Sequence, residues 1–207
     1  MKIEKYVVGI IGTNCYLVIN EETKEAVLID PGAYPLKIRN AVKEAGLKIK
    51  AVLLTHAHFD HIMGLDDVRK EFQVPVYVEE EDMNMMTDSR WNLSVNYVNG
   101  GYQYKDATPV KDGQILEIAG MQFKVIHTPG HTPGGCCYYM EKEGVLFSGD
   151  TLFQASVGRS DFPGGSASEL VRSVKEKLLA LPDETHVYPG HMDETTIGYE
   201  RRHNPFV

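Results

Sequence analysis

Cysteine, tryptophan and long apolar runs are all scarce in this chain, and each shortage closes off a class of protein. There are 3 cysteines and 1 tryptophan in 207 residues. Cys15 stands alone and Cys136-Cys137 are adjacent, so neither a disulfide framework nor a CxxC zinc knuckle can be drawn from them. They read instead as small strand residues of a reducing compartment, and a cytoplasmic location is the expectation. No stretch approaches the length of a membrane-spanning helix, and Met1-Lys2-Ile3-Glu4-Lys5 lacks the apolar core of a signal peptide. Dense Lys/Arg runs are missing too. With 21 basic against 29 acidic residues the net charge is −8, which argues against nucleic acid and anionic membranes as partners.

What is present begins with residues 56–61, His56-Ala57-His58-Phe59-Asp60-His61, placed directly after the apolar run Ala51-Val52-Leu53-Leu54. Three imidazoles and a carboxylate packed so closely are costly to desolvate together unless a cation neutralises them. Neutral imidazole suits zinc, iron or nickel, and a carboxylate completes such a site. Further along, His131, Asp150 and His191 each follow an apolar strand-like run and a glycine-containing turn. All of them can therefore project from one end of a sheet structure.

Strand-like runs at 3–8, 15–19 and 25–29 are followed by a helix between Pro35 and Gly46, a strand at 51–55, a helix near 64–72 and a strand at 74–78. Strands resume near 114–118, 122–127, 135–140 and 144–148. Ser166-Ala167-Ser168-Glu169 has the form of a capping box, and Leu170, Val174, Leu178 and Leu181 continue at helical spacing. A strand at 185–189 and a short helix beginning near Glu194 complete the pattern. Residues 82–106, rich in Met and Tyr, read either as a cover over the core or as the wall of a substrate pocket. Strands in two series interleaved with helices predict an α/β fold of two packed sheets with helices outside them.

The ordered set His56, His58, Asp60, His61, His131, Asp150 and His191 resembles the metallo-β-lactamase superfamily over essentially the whole chain. The resemblance implies a four-layer αββα sandwich, two mixed sheets flanked by helices, with metals at one edge. It implies one metal on His56, His58 and His131, another on Asp60, His61 and His191, and Asp150 bridging them. Two divalent cations are expected, zinc first, with iron or manganese compatible. The stretches Gly158-Arg159-Ser160-Asp161-Phe162-Pro163-Gly164-Gly165 and Asn204-Pro205-Phe206 look like short bacterial glyoxalase II-type hydrolases. That implies attack of a metal-bridging hydroxide, oriented by Asp60, on a thioester such as S-lactoylglutathione or a related 2-hydroxyacyl thioester. An acidic Asp150, where true β-lactamases carry cysteine or serine, speaks against antibiotic hydrolysis.

A single domain over 1–207 is expected, without the helical C-terminal domain of longer glyoxalase II. Arg159 matches a position that is basic in those enzymes and is the candidate contact for an anionic substrate group; the competing reading is a salt bridge with Asp161. His127, His186 and Asp30 are expected to support ligands by hydrogen bonding, and His203 to lie on the surface. The alternatives are a mononuclear-iron persulfide dioxygenase using His56, His131 and Asp150, and a lactone hydrolase using the same dinuclear site.

Overall fold

Alternation along the early strands dictates the layering. In a strand successive side chains face opposite ways, and here both faces are apolar, so each sheet must be covered twice. The computed structural model describes residues 1–207. The first sheet contains β1 (Lys2–Val8), β2 (Thr13–Asn20), β3 (Glu25–Ile29), β4 (Lys48–Leu53), β5 (Val76–Glu79) and β6 (Ala107–Val110), side by side in that order. Its first three strands are antiparallel and the remainder parallel, with α1 (Leu36–Glu44), α2 (Phe59–Ile62), α3 (Leu65–Phe72) and α4 (Met83–Met86) in the connections.

The second sheet is also mixed. It is built from β7 (Ile115–Ile118), β8 (Met121–His127), β9 (Cys136–Met140), β10 (Val145–Gly149), β13 (His186–Pro189) and β14 (Thr195–Thr196) in the order β14-β13-β10-β9-β8-β7. Between β10 and β13 the chain inserts the small hairpin β11 (Leu152–Phe153) and β12 (Ser156–Val157), then α5 (Ala167–Ser173), while α6 (Ile197–His203) follows β14. The α5 segment starts at Ser166, whose hydroxyl accepts from the Glu169 N–H, and continues as a π-helical turn over Val174–Leu178.

Odd and even residues divide the core as the pleat requires. Tyr16, Val18, Val27, Ile29 and Leu53 face Phe123, Val125, Tyr138 and Phe147 between the sheets. Their neighbours Leu17, Leu28 and Val52 pack outward against Ile38, Val42, Leu65 and Val68 of α1 and α3. On the far side Cys137, Leu146 and Val187 pack against Val174, Leu178 and Ile197. Helix, sheet, sheet, helix is thus the observed order, the α/β sandwich expected from the sequence.

Differences lie at element ends and in short elements that the sequence pattern does not announce: β6, the β11–β12 hairpin, β14, α2 and α4. The strand expected at 51–55 ends at Leu53, because the chain turns there to present His56. The last helix starts at Ile197 instead of near Glu194, since Thr195 and Thr196 pair with β13 and Thr196 then caps the Tyr199 N–H. β6 was not foreseen: Thr108-Pro109 disguises an edge strand, where proline is tolerated. Residues 82–106 serve both expected roles. Met85, Met86 and Tyr104 are buried in the core, while Leu93, Asn96 and Tyr97 line the main pocket.

Candidate metal centre

Each candidate donor leaves a strand end on the same edge of the sandwich. His56 and His58 follow β4, Asp60 and His61 lie on α2, His131 sits in the loop between β8 and β9, Asp150 follows β10 and His191 follows β13. Main-chain bonds tie the two sheets together at this edge: Asn14 N–H donates to the Gly190 carbonyl at 2.7 Å and Cys136 N–H to that of Thr55 at 2.8 Å. Two glycines permit the close approach. A Cβ on Gly190 would lie 2.2 Å from Asp150 Oδ1, and one on Gly32 would collide with the Asp60 carbonyl oxygen at 1.5 Å.

The donors fall into three overlapping groups with ligand atoms within 4.8 Å of one another: His56/His58/His131, Asp60/His61/His191, and His56/His61/Asp150, which joins the other two. Asp150 stands between the first two. Its Oδ1 is 3.5 Å from His61 Nε2, and its Oδ2 is 3.5 Å from His131 Nε2 and 3.6 Å from His191 Nε2. In the second triad Asp60 Oδ2 lies 3.3 Å from His61 Nε2 and 3.2 Å from His191 Nε2.

Hydrogen bonds behind the imidazoles decide which nitrogen faces inward. His131 Nδ1 is 2.6 Å from the Arg159 carbonyl, which can only accept, so Nδ1 carries the proton and Nε2 offers a lone pair. The Thr55 hydroxyl donates to Asp30 Oδ2 at 2.7 Å, so it can accept from His56 Nδ1 at 3.1 Å, freeing His56 Nε2. His61 Nδ1 lies 3.0 Å from Asp30 Oδ2, a close ionic contact without hydrogen-bond alignment, while Nε2 faces Asp60 and Asp150. His58 reverses the pattern, with Nδ1 facing His131 Nε2 at 2.9 Å.

Two residues overlooked in the sequence support this arrangement. The Thr13 hydroxyl donates to Asp60 Oδ2 at 2.6 Å. Asp82, fully buried, accepts from Ala57 N–H at 2.9 Å, the Thr132 hydroxyl at 2.9 Å and Gly134 N–H at 2.7 Å. It thereby clamps the loop of His56 and His58 to the loop of His131. No local pattern marks either residue; their partners are dozens of positions away in the chain.

Without a cation the imidazoles divide: His56 and His58 are held neutral, whereas His61 and, against burial and through Asp60 and Asp150, His191 are favoured in the protonated form and would have to release a proton to ligate. Burial, then neighbouring imidazoles, holds His56 well below the usual histidine range, and burial followed by the proximity of His131 lowers His58 to about 3. Burial alone would raise the Asp60 and Asp150 carboxyls, but His61 and the other imidazoles outweigh it and hold both below the ordinary value. Burial likewise opposes protonation of His61, yet Asp60, Asp30 and Asp150 together carry it well above. Buried polar atoms left without a hydrogen-bond partner are otherwise rare. Here His56 Nε2, His58 Nε2, both ring nitrogens of His61 and Asp150 Oδ1 are all unpartnered. This donor set, imidazole and carboxylate in overlapping triads, fits two divalent cations such as zinc, iron or manganese.

Not every histidine near the edge belongs to it. His127 Nε2 bonds the Pro133 carbonyl at 2.8 Å, and His186 pairs with Glu194 at 3.0 Å. Neither touches a donor imidazole, which corrects the supporting role expected of them; strand neighbours of a ligand turn point away from it. Asp30 does contact His61, and His203 is exposed on α6, stacked on Tyr199.

The donors open onto a pocket of about 830 Å³, large enough for a small organic molecule. Ile11, Leu93, Tyr97, Phe153, Phe162 and Met192 supply its apolar walls, and Arg159 stands at its rim. Arg159 Nε and Nη2 donate to Asp161 Oδ1 and Oδ2 at 2.9 and 2.7 Å. No helix in the molecule is long and apolar enough to cross a membrane.

Residues 8–191 match the model of the metallo-beta-lactamase superfamily. Hydroxyacylglutathione hydrolase GloC of Haemophilus influenzae is 35% identical, over 100% of this chain and 98% of its own length. The crystal structure of BLEG-1 B3 metallo-beta-lactamase superposes with a TM-score of 0.92 at 42% identity, covering 99% of each chain. TTHA1623 in a di-iron-bound form gives 0.86 at 38% identity, with 99% and 100% covered. ETHE1 from Myxococcus xanthus gives 0.79 at 33%, with 99% and 84% covered.

Proposed function

The chain belongs to the metallo-beta-lactamase superfamily, and from that premise we propose that it is a dinuclear-metal hydrolase of 2-hydroxyacyl thioesters such as S-lactoylglutathione. The observation that supports the reading is the cluster of buried and half-buried donors, His56/His58/His131 and Asp60/His61/His191 linked by Asp150, facing an open pocket. His56, His58 and His131 would hold one cation, Asp60, His61 and His191 the other, and Asp150 both. When bound, such a pair supplies Lewis acidity toward the carbonyl and brings the pKa of water from about 15.7 toward 7.

The residues do the rest. Asp60, held by Thr13, presents a carboxylate oxygen that can accept a hydrogen from the attacking water and so orient its lone pair. The Arg159 carbonyl keeps His131 from rotating, and the Asp30 carboxylate lies in ionic contact with His61. The apolar walls exclude competing water from the acyl group and its carrier. No dedicated acid is needed at the leaving group, because a thiol of pKa about 8.5 departs readily as thiolate.

A persulfide dioxygenase with one iron on His56, His131 and Asp150 is the runner-up. It would leave His58, Asp60, His61 and His191 as buried or half-buried donors with no cation between them, which is costly. The proposal is tested by release of free thiol from S-lactoylglutathione by protein of measured metal content, alongside Asp60→Ala. Lactone, β-lactam and persulfide with oxygen uptake serve as parallel substrates. Rapid thiol release, lost in the variant, is the expected result; oxygen uptake on the persulfide without thioester cleavage overturns it.

A further inference from the structure

The α6 helix and the Asn204-Pro205-Phe206 ending put no side chain into the pocket, yet they hold one of its walls. That wall is the β11–β12 hairpin. Phe153, Ser156 and Val157 line the pocket, and the Phe153 ring meets the His191 ring edge-on at 6.2 Å between centroids.

The hairpin has little to keep it in shape by itself. It pairs only Leu152 with Val157 and Phe153 with Ser156, and it joins neither six-stranded sheet. A two-stranded hairpin alone is marginal in water. The turns that suit a two-residue loop place positive φ at the first central residue. Here the positive φ falls on the second, Ala155 at 51°, a conformation that strains any residue with a Cβ.

The hold comes from α6. Glu200 is fully buried and accepts from the Ala155 N–H, which lies 3.1 and 3.0 Å from its two oxygens. It also accepts from the Thr195 hydroxyl at 2.5 Å and the Asn204 amide at 2.8 Å. The same Asn204 amide donates to the Ser156 carbonyl at 3.0 Å. All three partners of Glu200 donate, and a carboxylate can only accept, so the group suits the place. Ile197 already anchors α6 in the core, so Glu200 is not what fastens the helix.

Resting on the hydrolase reading above, we infer that Glu200 and Asn204 are positioning residues for substrate. From outside the pocket they fix the wall beside His191 against which the bound thioester packs. Loosening this clamp leaves the donors in place, because the Arg159 carbonyl still meets His131 and Gly158 still lies against the Asp150 carbonyl. The loss falls on binding: a wall side chain that substrate must immobilise again weakens affinity roughly twofold to tenfold. Ground state and transition state lose the same contact, so KM rises while kcat holds.

The test measures kcat and KM for S-lactoylglutathione in metal-loaded wild type, Glu200→Ala, Glu200→Gln and Asn204→Ala, with metal content and amide hydrogen exchange of the same samples. In Glu200→Ala the Ala155 amide should lose protection relative to amides of β9 and β10, with metal content unchanged. Its KM should rise about twofold to tenfold, with kcat within about twofold of wild type. Glu200→Gln should recover most of both, since its amide oxygen still accepts from Ala155 while the Thr195 hydroxyl accepts from its NH2. Asn204→Ala releases Ser156 but leaves Ala155 held, and should give a smaller shift in the same direction; it serves if Glu200→Ala does not fold. Val42→Ala, a core truncation in the opposite helix layer, lowers stability alone and should leave KM unchanged.

Lost metal in the clamp variants, an unchanged KM, a fall in kcat alone, or an equal rise of KM in Val42→Ala overturns the inference. Absence of thioester cleavage by the wild type refutes the thioesterase reading instead. The same KM comparison then decides the clamp on whichever of the lactone, β-lactam or persulfide is turned over, and activity on none of them overturns both.

Discussion

His131 is held by the main chain of Arg159: its Nδ1 lies 2.6 Å from that residue's carbonyl oxygen, while the Arg159 side chain turns away to Asp161. One residue thus serves the metal edge through its backbone and the pocket rim through its guanidinium. The two functions are separable by mutation.

Arg159→Ala should therefore bind the same number of metal equivalents as the wild type, because the carbonyl that orients His131 survives the change. Elemental analysis of both proteins after identical loading decides the point. A loss of one equivalent in the variant would show that the side chain, and not the backbone, supports His131.

Removing the metals should lower stability without unfolding the chain, since both sheets carry their own apolar cores. A cation at about 100 times its dissociation constant contributes about 2.7 kcal/mol. For a chain of this length that corresponds to roughly 5–10 °C in Tm. Calorimetry of chelator-treated protein, with zinc, iron or manganese added back, should display the shift; an unchanged Tm would mean that the buried donors hold no cation.

Thr13→Val removes the hydroxyl that donates to Asp60 Oδ2 at 2.6 Å. The loss of a hydrogen bond that orients a metal ligand typically weakens metal affinity by about 10–100-fold. Competition with a chromogenic chelator should then resolve one weakened and one unaltered equivalent. Equal weakening of both, or of neither, would contradict a separate Asp60/His61/His191 site.

Asp82 is the strongest structural dependency outside the donors. Asp82→Ala strands three buried donors, each costing about 1–3 kcal/mol, so a loss of at least 3 kcal/mol is expected. Thr132→Val removes a single arm of the clamp and should cost only about 1–2 kcal/mol, which keeps the comparison measurable if the first variant does not fold. Urea titration of the metal-loaded proteins reads both values. Near-equal, small losses would show that Asp82 does not join the two loops.

Much of this molecule was written locally. Unbroken apolar runs in residues 15–19 and 26–29 marked strands buried on both faces, and helical spacing from Leu170 to Leu178 marked a covering helix, an order that two packed sheets with outer helices accommodate. The His-rich turn and the glycine-turn contexts of His131, Asp150 and His191 marked the candidate donors, because imidazole and carboxylate at strand ends are chemically conspicuous, and the structure brings these residues to one edge. Tertiary structure alone decided the partnerships. Thr13 meets Asp60 across 47 positions and Asp82 meets Thr132 across 50, while His127 and His186, no less conspicuous in sequence, bond elsewhere. Periodicity reports which face a side chain takes, since that is set by the backbone of its own strand or helix. Which atom lies within 3 Å of it depends on how separate strands register and how their loops pack, a property of the assembled sheets.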